Sequence, residues 1–194
     1  VPPIDSRRIE AAVAELLVAI GEDPSRPGLA TTPQRVAESY GEFFAGVGVD
    51  PAPHLHDDVE LQSDPGERGE IVLLRDIALR SMCEHHLLPF TGVAHVAYLP
   101  AERLTGLGSI ARVVETVASR PQLQERLGED VAATLESALA PHGVLVVVDA
   151  QHGCVTARGT RQSGSTTVTV ASRGALADPV RRAEVMALLG RGTA

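Results

Sequence analysis

The chain has two cysteines, and each stands beside histidine: Cys83-Glu84-His85-His86 and His152-Gly153-Cys154. Thiolate sulfur and imidazole nitrogen are the ligands zinc favours. Cys83 and His86 are three residues apart, so a turn lets both side chains converge on one ion. Cys154 supplies a third ligand if its segment folds back against the first. Three protein ligands leave one tetrahedral position for water, the arrangement of a catalytic zinc, and such an ion brings the pKa of its water to about 7. His85 and His152 are then spare beside the ligands, and histidine near neutrality suits proton transfer. Two plainer readings use the same residues: a closed structural site of Cys83, His86, His152 and Cys154, or two buried core thiols. The C-x-x-H spacing favours a metal over a disulfide. His54, His56, His95 and His142 read as surface or core histidines.

The elements that must position these residues follow from periodicity. Residues 6 to 20 have helical spacing, through Ile9, Val13, Leu16, Leu17 and Ile20, with Asp5 or Ser6 as cap. Thr32 is expected to cap a second helix with Pro33 at its first position, and Val36, Tyr40, Phe43 and Phe44 form its stripe. Residues 46 to 57 read as a loop. Strands follow at Glu70 to Arg80 and Gly92 to Leu99, then helices at Ser109 to Ser119 and Gln122 to Ala140, broken at Pro121. Further strands are expected at Gly143 to Ala150 and Ser165 to Ser172, and a last helix at Asp178 to Leu189. Hairpins separated by a helix pair predict an α+β fold, an antiparallel four-stranded sheet with helices on one face. The expected division is an N-terminal helical segment, 1–56, and a catalytic domain, 57–194.

Composition narrows the classes. Apolar residues make up 44% and aromatics 3%, with no Trp, so the core is expected to be aliphatic. The formal charge of −8 argues against a nucleic-acid surface. No apolar stretch approaches the roughly 20 residues needed to cross a bilayer. Val1 to Asp5 shows neither a basic n-region nor an apolar h-region, which predicts a cytoplasmic protein without membrane contact.

The run Ser81-Met82-Cys83-Glu84-His85-His86-Leu87-Leu88-Pro89-Phe90 resembles GTP cyclohydrolase I. Three more blocks are similar to that family in order and spacing: Thr32 to Ala37, Arg120 to Leu127, and Asp149 to Gly159. The resemblance implies a tunnelling fold (T-fold), in which subunits pool their sheets into a barrel, and a homo-oligomer, typically a decamer, with interfacial active sites. It implies zinc-dependent opening of the guanine imidazole ring at C8, loss of that carbon as formate, and closure to 7,8-dihydroneopterin triphosphate, in pterin and tetrahydrofolate biosynthesis. By the same resemblance Cys83, His86 and Cys154 match the zinc ligands, and His152 and His85 the catalytic histidines. Glu125 matches the carboxylate that grips the guanine edge, with Gln124, Leu123 and Leu107 beside it. Arg35, Arg112 and Arg158 match phosphate-binding positions.

The chain departs from the family pattern where phosphate would be held. Gly106-Leu107-Gly108-Ser109 stands where the family usually reads Gly-Leu-Ser-Lys, and Glu38 stands where it usually has Lys. A unit charge about 6 Å away contributes roughly 3 kcal/mol gross at an effective dielectric near 20, so the change is large. The backbone N–H groups at the helix start beside Gly108 and Ser109 remain available to an anion. A second reading is therefore a paralogue acting on a guanine compound with fewer phosphates. A third, of another class, is a catalytically silent scaffold or binding subunit.

Overall fold

The structure, a computed structural model, describes residues 4–56, 58–60 and 70–190. The expected division of the chain falls at Asp57, outside the described residues. Helix α1 (Ser6–Ala19) opens on Asp5, whose carboxylate accepts from the Arg8 N–H at 3.1 Å. Helix α2 (Thr32–Phe43) begins one residue earlier than the cap pattern suggests, and Thr31 is its N-cap without a side-chain bond. The Thr32 N–H donates to Leu29 O of the preceding turn, and Pro33 at the second position has no N–H for a hydroxyl to cap.

The two helices pack on each other, and the loop after them is fastened to the rest of the chain. Arg120 donates to Gly46 O at 2.8 Å and to Val49 O at 2.7 Å, and the Gly46 N–H donates to Ser119 O. Within the expected loop 46–57 lies a short 3₁₀ turn, Ala52–Leu55, because Leu55 is carried into the core.

Strand β1 (Asp58–Glu60) pairs antiparallel with β4 (Arg103–Thr105), a small two-stranded ribbon. The main sheet contains β2 (Val72–Cys83), β3 (Pro89–Leu99), β5 (Pro121–Gln122), β6 (Gly143–His152) and β7 (Thr167–Gly174). Its order is β5-β2-β3-β6-β7. The four expected strands are all antiparallel neighbours, and the two residues of β5 add a short parallel pairing to the end of β2. Helices α3 (Leu107–Ala118) and α4 (Gln124–Leu139) connect the two hairpins, α5 (Gly153–Thr156) is a single turn after β6, and α6 (Pro179–Leu189) closes the chain.

Strand alternation divides the apolar residues between two faces. Ala94, Val96 and Tyr98 of β3 and Val144, Val146 and Val148 of β6 meet Ile110, Val113, Val117, Leu127, Val131 and Leu135 from α3 and α4. Ala97, Leu145 and Val147 point the other way, where Leu176 and Val185 cover them. Helices therefore lie on both faces and not on one, since the return after β7 lays α6 across the second face. In β2 a bulge between Leu74 and Ile77 puts Asp76 at φ 56°, and its N–H donates to His95 Nδ1 at 3.1 Å. No helix among the described residues is long and apolar enough to cross a membrane.

Two backbone positions test this packing. A Cβ on Gly92 would fall 2.0 Å from Asp149 O and 2.6 Å from the Ala150 Cα, so only glycine allows β3 and β6 to approach there. Gly92→Ala is expected to destabilise by about 2 kcal/mol or more, read as a lower denaturation midpoint. Ala140 ends α4 at φ 45°, in the left-handed region that glycine occupies without Cβ strain. Ala140→Gly is expected to raise the midpoint by the equivalent of about 0.5–1 kcal/mol.

Candidate metal centre and active site

The hairpin between β2 and β3 brings the first cluster into a tight turn. The Cys83 N–H donates to Leu88 O and the Leu87 N–H to Cys83 O, both at 2.9 Å, with Leu87 at φ 49°. The second cluster reaches the same place through sheet register. Phe90 pairs with His152 across β3 and β6, so the end of β6 lies beside that turn. A Cβ on Gly153 would meet Pro89 O at 2.8 Å, and this close approach lets α5 begin against β3 and carry Cys154 inward.

One ligand atom from each of Cys83, His86 and Cys154 lies within 4.8 Å of the other two, and Cys83 Sγ is 3.9 Å from His86 Nδ1. Cys83 is buried, Cys154 half-buried and His86 exposed, so the cluster has an inner and an outer side. Burial pushes the Cys154 thiol pKa up, and the neighbouring Cys83 pushes it further, while the Arg158 charge pulls it down. A Cys154 thiol held back from ionisation beside a second sulfur fits a divalent cation, which favours thiolate ligands. Two thiolates and one imidazole are a zinc donor set, and they leave room for a fourth ligand.

His152 is held on two sides. Its ring stacks on Phe90 with centroids 4.6 Å apart and planes 12° apart. Its Nε2 lies 2.7 Å from Gln124 Oε1. Burial lowers its pKa, and the Glu125 charge opposes that shift. Glu125 is exposed in the first turn of α4, where the helix dipole favours an acid. His85 is also exposed, edge-on to His86 with centroids 6.1 Å apart.

The turn carrying Cys83 is pinned to α4. Gln122 of β5 pairs with Cys83, the Glu84 N–H donates to Gln122 O at 3.1 Å, and Arg126 bonds the Glu84 carboxylate at 2.7 Å. The metal cluster, His152 and Glu125 therefore share one end of the sheet.

Other expected positions are placed less closely. Leu123 is the half-buried N-cap of α4, and Leu107 and Gly108 are exposed at the start of α3. Ser109 is only 3% exposed and its hydroxyl accepts from Arg112 Nη2 at 3.2 Å. Arg158 is exposed, and its charge is felt at Cys154. Arg35 is exposed on α2, and Glu38 on the same helix accepts from Gln34 at 2.8 Å. Among the described residues no hydrogen bond or ion pair ties Arg35 or Arg112 to the metal cluster. Sequence reasoning passed over Phe90 as a stacking partner and the Glu84–Arg126 pair. The stacking follows once the β3–β6 register is known, since Phe90 lies opposite His152, whereas the Glu84–Arg126 pair depends on how α4 packs beside the turn.

Fold and site together define a metal centre of two cysteines and a histidine at the end of an antiparallel α+β sheet, with a second histidine and a carboxylate at the same end. The chain belongs to the GTP cyclohydrolase I family, whose model matches residues 9–190. It is 60% identical to GTP cyclohydrolase 1 of Leifsonia xyli subsp. xyli, over 98% of both chains. It is 53% identical to that of Rhodopirellula baltica over 97% of this chain and 80% of the relative, and 51% identical to that of Bacillus subtilis over 94% and 95%. Among solved structures it is similar to archaeosine synthase QueF-Like in the apo form, with a TM-score of 0.43 at 19% identity, over 58% of this chain and 97% of that one. The fold is the T-fold of this family, and the Cys–His–Cys cluster is its site for zinc.

The cluster makes a direct prediction. Cys83→Ser and Cys154→Ser are each expected to lose zinc on dialysis against a mild chelator, while His85→Ala retains it. Metal content by mass spectrometry checks both, and zinc retained by the two cysteine variants would show the ion to be held elsewhere.

Proposed function

We propose that this chain converts GTP to 7,8-dihydroneopterin triphosphate with release of C8 as formate, in pterin and folate biosynthesis. The observation that carries the reading is the convergence of Cys83, His86, Cys154, His152 and Glu125 at one sheet end. The naming of close full-length relatives as GTP cyclohydrolase 1 supports it.

Cys83, His86 and Cys154 would hold zinc, which would supply Lewis acidity and activate water at neutral pH. The protein's own part is binding and proton transfer. Glu125 accepts from guanine N1–H and the exocyclic amine, a bidentate match that other bases do not offer. His152, stacked on Phe90, delivers a proton to the purine as the imidazole ring opens. His85 is the second proton-transfer group. Leu107 and Leu123 flank the base. Arg35, Arg112 and Arg158 meet the polyphosphate, with the backbone N–H groups around Gly108 and Ser109.

We infer a homo-oligomer, a decamer by resemblance, with active sites at subunit interfaces. Support comes from β7, which among the described residues pairs only with β6 and leaves Val168 55% and Val170 44% exposed. An edge strand bearing apolar side chains favours pairing with another copy.

The zinc-loaded enzyme is to be given GTP, GDP, GMP and guanosine in parallel, with formate and pterin fluorescence followed. GTP is expected to give the highest kcat/KM. A preference for GMP or guanosine would favour the paralogue reading, to which the Glu38 carboxylate lends support. Zinc binding with no ring opening would favour the scaffold. His152→Ala is expected to keep zinc and lose about 10²–10⁴-fold in kcat; turnover near wild type would remove His152 from the mechanism.

A further inference from the structure

Gln124 was expected beside the guanine, but its side chain is turned inward and only 2% exposed. Its Nε2 donates to Val148 O at 3.0 Å and Thr167 O at 2.8 Å, with Thr169 Oγ1 at 3.2 Å. Carbonyl oxygens cannot donate, so these contacts fix which end of the amide is nitrogen. A flipped amide would set its oxygen against two carbonyl oxygens. The sheet itself fixes both carbonyls, because Val148 pairs with Thr169 and Ala150 with Thr167. Gln124 Oε1 is therefore left facing His152 Nε2 at 2.7 Å. An amide oxygen carries no hydrogen, so the proton in that bond belongs to the histidine. Phe90, stacked on the ring, opposes rotation away from this bond.

We propose that Gln124 is a positioning residue that locks His152 in the Nε2–H form, so that Nδ1 is the nitrogen through which His152 exchanges protons with the substrate. The inference rests on the proton-transfer reading of His152 given above. The atoms balance simply. When His152 acts as an acid, the Nδ1–H bond breaks, a new N–H bond forms on the purine, and the imidazolium becomes neutral imidazole with Nε2–H still bonded to Gln124. Gln124 neither gives nor receives a proton. Glutamate cannot fill this role because it has no hydrogens for Val148 O and Thr167 O, and asparagine is one methylene shorter. The next residue, Glu125, stands in the same first turn of α4, and its charge is felt at His152.

Full-length, zinc-loaded protein labelled with ¹⁵N-histidine is to be studied by solid-state NMR, with His152 assigned by difference against His152→Gln. The wild-type neutral ring is expected to show a protonated Nε2 and a lone-pair Nδ1. Gln124→Leu is expected to mix the tautomers and lower kcat by about 10–100-fold, with KM for GTP changed less than about threefold. Thr169→Val, which removes the weakest of the amide contacts, is expected to leave the tautomer unchanged. A wild-type Nδ1–H tautomer would overturn the proposal. So would Gln124→Leu that raises KM while kcat and tautomer stay put, since that marks a substrate contact. If Gln124→Leu fails to fold, the wild-type spectrum alone decides. An Nε2–H ring in a protein that opens no purine would sink the proposed function and leave the tautomer assignment standing.

Discussion

The register between β3 and β6 is the constraint on which the site depends. It sets Phe90 opposite His152, puts Gly92 against Ala150, and brings the end of β6 to the turn that carries Cys83 and His86. Side chains alternate along a strand, so a slip of one residue would turn His152 to the opposite face and carry Cys154 away from Cys83. The close approach at Gly92 and the buried Val144, Val146 and Val148 make such a slip costly. Core packing and catalytic geometry are thus the same requirement on one pair of strands.

The ligands come from strand ends and not strand middles, and this suits their chemistry. The middle of the sheet is aliphatic on both faces, and an unpaired charge there would go unsolvated. At the end of β2 and β6, Cys83 is buried while His86 and His85 are exposed, so a bound cation has protein on one side and solvent on the other. Opposing influences meet there. Burial and Cys83 work against the Cys154 thiolate, Arg158 works for it, and Glu125 works for a charged His152 against its burial.

Much of this was legible in the sequence. The strands, the long helices and the three metal ligands follow from periodicity, from Pro121 and from the cysteine spacing. The cluster then forms as that spacing suggests. Other features depend on tertiary proximity. Gln124 reads as a polar residue at a helix start, and its inward turn appears only once Val148 and Thr167 are known to lie beneath it. The ribbon of β1 and β4 has three residues in each strand, too few for an alternation signal. The placement of α6 on the second face depends on the return after β7, where Gly174 at φ 57° sits 2.5 Å, by its would-be Cβ, from His142 O.

The two ends of the site are built on different principles. At the metal end, rigid packing fixes each group: Phe90 against His152, Gln124 within the sheet, and Glu84 with Arg126 across the turn. At the start of α3 the side chains are small and the helix has no side-chain cap, since Gly106 occupies the N-cap. Ser109 spends its hydroxyl inside, on Arg112. If the polyphosphate of the proposed reaction lies there, its charge is met by guanidinium groups and uncapped backbone N–H groups, with no lysine at hand. Backbone N–H groups carry partial charge and hold an anion by direction, whereas an ammonium acts as a mobile point charge. Selectivity for phosphate number in this chain then rests on how α3 is aimed, and that aim is set by Ile110, Val113, Val114 and Val117 in the core.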